Sequence, residues 1–161
     1  MYLTFDEYTA LYSPIEETVF NRLAYDACRC IDRHTTGIDG VKKLKTAFPM
    51  DEDFTQAVKH CTAKIINTLF QIQEAEESAS MGRGYTKTEN GLQGKVVSSV
   101  SAGNESISFS SANAGASVID KAVSDLPARE SLIKSIVREY LSGVQDANGV
   151  NLLYMGVYPR V

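Results

Sequence analysis

The hydrophobic and polar positions fall into helical stripes separated by short breaks. Thr4 and Glu7 have capping-box spacing, which predicts a short helix from Phe5. Ser13, Pro14 and Glu16 repeat the signal. Beyond them Ile15, Val19, Leu23, Ala27 and Ile31 recur every four residues, with Phe20, Ala24 and Cys28 alongside. One apolar stripe on a helix over about 14–35 follows. Gly37 and Gly40 interrupt the pattern. Val41 to Phe48 reads as a helical turn or short helix ended by Pro49. Asp51 then has the character of an N-cap. Phe54, Val58, Cys61, Ile65, Leu69 and Ile72 form a second stripe, predicting a helix over about 51–77. Residues 116–126 and 128–142 repeat helical spacing on either side of Pro127, and Gly143 is placed to end the last helix.

Two stretches break the helical rhythm. Residues 78–94, SASMGRGYTKTENGLQG, read as a flexible loop. Residues 95–110, KVVSSVSAGNESISFS, alternate serine with apolar residues, and Gly103-Asn104 suits a two-residue hairpin turn. In that register Val100 faces Ile107 and Ser98 faces Phe109. Val96, Val100, Ile107 and Phe109 then share one face, while Ser99, Ser101, Ser106, Ser108 and Ser110 share the other with Val97. A lone hairpin is marginal in water, so its apolar face needs either the chain's own core or a neighbouring subunit. The ending NLLYMGVYPRV is apolar and extended in character. Leu152, Leu153 and Tyr154 need cover, from the domain or from a neighbour. The pattern as a whole predicts a mainly α protein: a small bundle of three to five helices in a single domain over 1–161. It has one inserted β-hairpin at about 95–110 and an extended C-terminal tail.

Composition narrows the function classes. The chain has 161 residues, 43% hydrophobic and 22% charged, which suits one domain with a modest core. Its net charge of −4 argues against a general affinity for duplex DNA. No apolar run reaches membrane-spanning length, and MYLTFDEYTAL lacks the pattern of a secretory signal. An odd number of cysteines, 3, fits reduced thiols in a cytoplasm.

Candidate chemistry is sparse. Cys30, His34, His60 and Cys61 could be assembled into a metal-enzyme reading. Their spacing matches no standard zinc site, and Cys28 and Cys61 lie on apolar stripes as buried thiols would. The serines lack a nucleophile-elbow motif, and Gly82-Arg83-Gly84 lacks the Lys-Ser/Thr of a phosphate loop. Neither a catalytic residue nor a cofactor or metal site is expected. Lys42, Lys43 and Lys45 form the one basic cluster, which supports an alternative reading as a small helical regulatory or nucleic-acid-binding protein.

The order of parts resembles the small head–tail connector, or adaptor, proteins of long-tailed bacteriophages and prophages. The likeness is carried by MYLTFDEYTAL, FNRLAYDACRCIDRHT, AVKHCTAKIINTLF, VSSVSAGNESISFS, IKSIVREYL and NLLYMGV. It does not extend to 78–94 or to the segment around 116–126. The resemblance implies a non-enzymatic virion protein, made in the bacterial host cytoplasm and placed at the head–tail junction. It would dock on the portal of a DNA-filled capsid, extend the DNA channel and provide the platform for tail attachment. Its partners would be the portal and tail or head-completion proteins. Copies would form a ring that closes on the portal, the isolated chain remaining monomeric, with DNA passing without sequence-specific binding. The candidate contact residues are Val96, Val100, Gly103, Asn104, Ile107, Phe109, Leu152, Leu153, Tyr154 and Val157.

Overall fold

The computed structural model describes residues 1–80, 85–88, 91–101, 106–111 and 117–159, with side chains described for 1–77 and 117–159. The protein is mainly helical. Six helices occur among the described residues: α1 (Phe5–Leu11), α2 (Glu17–Thr35), α3 (Lys43–Thr46), α4 (Glu52–Ser80), α5 (Val118–Ser124) and α6 (Leu126–Leu141). No helix among them is long and apolar enough to cross a membrane. The chain packs as two compact units. One comprises 1–67 with 133–161, the other 68–132, so the division falls inside α4 and α6.

In the first unit, α1 starts where its capping box places it, with Thr4 and Glu7 exchanging side-chain and backbone hydrogen bonds. The expected box at Ser13 is not used. Tyr12 leaves α1 in an extended conformation and its ring stacks on Tyr8, and α2 begins only at Glu17, after a residue without a side-chain cap bond. A cap is worth about 1 kcal/mol, which packing of this size readily outweighs. The α2 stripe then buries Phe20, Leu23, Ala24, Ala27 and Ile31, while Ile15 and Val19 are only half-buried. Phe20 is the centre of an aromatic group, with its ring 5.3 Å from Phe5 and 5.4 Å from Tyr8. Asp51 caps α4 through its side chain to the Phe54 amide, and Val58, Cys61, Ile65 and Ile66 are buried along that helix. A Lys59–Glu7 ion pair at 2.6 Å ties α4 to α1.

The expected extended tail is a correction. After α6, Gly143 takes a positive φ of 81° and ends the helix, as its position in the sequence predicts. The chain then folds back on itself. Gln145 bridges Asn151, the Asp146 amide donates to the Val150 carbonyl, and the Leu152 amide donates to the Val144 carbonyl. Gly149, at φ 74°, permits the reversal. The segment is thus a folded part of its unit, with Leu152 fully buried and Tyr158 8% exposed.

In the second unit, Ile72, Ala122 and Val123 form a small buried cluster, flanked by Ala75, Ile119 and Leu132. Ser117 and Asp120 cap α5 reciprocally. Arg129 pairs with Glu76, and its Nε donates to the Ala122 carbonyl at 3.2 Å. Pro127 sits in the first turn of α6, where its missing amide matters least. Strand backbone occupies β1 (Tyr85–Thr88), β2 (Gly91–Ser101) and β3 (Ser106–Ser111), antiparallel in that order, with α5 beside β2. β1 and the start of β2 fall inside the stretch 78–94 that glycine and serine content marks as loop. Tyr85 and Thr86 are residues suited to a strand, and the glycine-rich surroundings mask them.

Candidate functional site

The sequence-derived contact residues separate into three groups. Val96 and Val100 lie on β2, and Ile107 and Phe109 on β3. Val100 opposes Ile107, but Phe109 opposes Val97 rather than Ser98, because the pairing slips by one residue between Val97 and Ser99. The expected pairing of Ser98 with Phe109 therefore does not hold. The turn residues Gly103 and Asn104 lie outside the described residues. Of the C-terminal candidates, Leu152 is 0% exposed and belongs to the chain's own core, which removes it as a partner contact. Leu153 is half-buried, whereas Tyr154 and Val157 are exposed.

What holds the C-terminal segment is a polar latch built on Lys43. This lysine is fully buried, and its Nζ donates to the carbonyls of Thr35 at 2.9 Å, Leu152 at 3.1 Å and Tyr154. The three ammonium protons thus meet three backbone oxygens, which offsets the desolvation that burial imposes. Burial lowers the Lys43 pKa from its ordinary value, with Asp146 and Asp39 opposing the shift. Asp146 accepts the amides of Asn148 and Val150 through Oδ1, each at 2.9 Å. Through Oδ2 it accepts the Tyr158 hydroxyl at 2.6 Å. Burial first, then the Asp146 bond, raises the Tyr158 pKa. Asp39 accepts the Tyr158 amide at 2.6 Å and the Val41 amide at 3.2 Å, and the first of these bonds holds its carboxyl below the ordinary value. The Ile38 amide donates to the Met155 carbonyl at 3.0 Å. Gly37 allows that approach, since a Cβ there would run into the Gly156 carbonyl oxygen.

The latch has a surface consequence. The exposed side of the docked segment carries Tyr154, Met155 and Val157, 51%, 56% and 65% exposed, and Ile38 beside Met155 is 82% exposed. Sequence reading finds Tyr154 and Val157 but misses Ile38 and Met155. Ile38 lies between two glycines, and its neighbour across the latch is more than a hundred residues away in the chain.

Only part of the basic cluster reaches the surface. Lys43 is in the core, and Lys45 pairs with the buried Asp32 at 3.2 Å, leaving Lys42 exposed without that company. Asp32 also accepts the Tyr2 hydroxyl at 2.5 Å, and burial first, then this carboxylate, raises the Tyr2 pKa. Cys30, His34, His60 and Cys61 are not gathered together. Among the described residues no three His, Cys, Asp or Glu side chains come close enough to hold a metal ion. Burial pushes the Cys61 thiol up to about 12 and raises Cys28 and Cys30 as well, so these thiols stay protonated near neutral pH.

Compared with protein-family models, with curated proteins and with solved structures, the chain matches none.

Proposed function

We propose that this protein is a structural adaptor of virion assembly. It docks on the portal of a DNA-filled capsid, extends the DNA channel and offers a platform to the tail. The observation that carries the reading is the exposed apolar surface of Ile38, Tyr154, Met155 and Val157, held in place by a buried polar latch. An apolar surface fixed outward at the expense of burying a lysine is suited to a partner rather than to water. The resemblance of the helix pattern to head–tail connectors supplies the partner class. A net charge of −4 suits a channel wall along which DNA slides without being held. In this reading the helices form a small bundle, and the hairpin at 95–110 adds a second contact, between subunits or with the portal and tail proteins.

The test is native mass measurement of the purified chain mixed with the portal protein of the same genome. The reading predicts a ring of copies on the portal, lost in an Ile38→Glu/Val157→Glu variant that retains its helical circular dichroism. A portal left bare by the unaltered chain contradicts it.

A further inference from the structure

A second feature of the first unit shares only Met155 with that apolar surface. The C-terminal residues of α2, the outer side of α6 and the docked segment enclose a groove of about 230 Å³. It is lined by Arg33, His34, Lys134, Val137, Arg138, Leu153 and Met155. Val137, 1% exposed, belongs to the core beneath it, while Arg33, Lys134 and Arg138 are exposed. No carboxylate lines the groove, in a chain that carries 20 acidic residues against 16 basic ones. Positive charge is therefore concentrated around an apolar seat, and neither Lys134 nor Arg138 makes an ion pair with any described residue.

We propose that this groove binds a linear acidic segment of a partner protein. Two carboxylates on alternate residues meet Lys134 and Arg138, and an apolar side chain two residues further on sits against Leu153 and Met155. The spacing favours this ligand. Lys134 and Arg138 are four residues apart on α6, a rise of about 6 Å, and alternate residues of an extended peptide are about 6.7 Å apart on one side. The arginine fork also suits a carboxylate held by two hydrogen bonds. A nucleic-acid strand fits less well, because the apolar seat gives a phosphodiester nothing and the acidic remainder of the chain repels a polyanion. The site is tested separately from the assembly role, on the isolated full-length chain.

The probe is a capped five-residue peptide with glutamate at its first and third positions and leucine at its fifth, followed by calorimetry at low salt. Saturable binding is expected. It should weaken at least tenfold when the two glutamates are replaced by glutamine, and equally in a Lys134→Glu/Arg138→Glu variant. Binding should survive in Lys42→Glu. Because both target residues are exposed, the charge-reversed protein should keep its helical signal, and Lys134→Gln/Arg138→Gln provides a milder check. Four results overturn the proposal: no binding at millimolar peptide, equal binding of the amide peptide, undiminished binding by the double variants, or tighter binding of a single-stranded oligonucleotide with the same dependence on Lys134 and Arg138.

Discussion

Residues 144–158 and the α5 region at 117–125 are both short segments, and they are fixed by different physics. The first sends two large side chains inward, Leu152 and Tyr158, and is otherwise anchored by polar bonds to Lys43 and Asp39, with Asp146 bonding Tyr158 inside the segment. The second sends in Ala122 and Val123 against Ile72, with a capping box and one arginine contact as its polar support. Directional bonds to a buried cation give a segment one geometry. A few apolar contacts give it cover but permit local opening at modest free energy. The difference fits the use proposed for the first, since a segment that offers an apolar surface to a partner gains from being pre-ordered before it binds.

Lys43→Ala is the harshest way to break the contrast. It leaves three carbonyls without their donor, and a loss of about 4 kcal/mol is expected in urea unfolding, at roughly 1–2 kcal/mol for each oxygen left unmet. Ile72→Ala strikes the other side. A loss of about 3 kcal/mol is expected from the lost contacts and the cavity. Faster amide exchange should then be confined to α5 and its surroundings, leaving the amides of Leu152 and Tyr158 unchanged. Acceleration at those two amides would show that the apolar cluster and the latch are not separable.

The smallest effect concerns pH. The Tyr2 hydroxyl donates to buried Asp32, and its pKa is raised in the folded state. The unfolded chain loses that proton near the ordinary tyrosine value of about 10. The group's contribution is therefore fully present below pH ~10 and is lost as pH rises beyond it. Tyr158 acts in the same direction, and Lys43, with a lowered pKa, acts in the opposite one. Both are common to wild type and Tyr2→Phe, so the difference between these two proteins isolates Tyr2. Their stability gap, about 1 kcal/mol at neutral pH, should shrink above pH ~10. A gap that stays constant would remove the bond from the account.

The helices were readable because their signals are local. Thr4 with Glu7, Asp51 before α4, and Gly143 after α6 act within a turn of the chain. The latch was not readable, because it joins Lys43 to carbonyls of residues 152 and 154. In sequence Lys43 is one of three near-identical basic residues, and nothing nearby marks it as the one that turns inward. The same distance hides the groove. Lys134 and Arg138 are an ordinary polar pair on α6 until Leu153 and Met155 are folded over beside them. Leu152 fails as a contact candidate for the converse reason: an apolar run shows that cover is needed but not which of its members finds it inside the chain.

The central claim is that the C-terminal segment is a latched part of the first unit and not a free tail. Hydrogen exchange read by mass spectrometry on peptides containing Ile38, Leu152 and Tyr158 tests it most directly. These amides donate to Met155, Val144 and Asp39 respectively. The account predicts protection in wild type approaching that of α2, falling to near the unprotected rate in Lys43→Ala while the middle of α2 stays protected. Exchange of these peptides at the unprotected rate in wild type would contradict it.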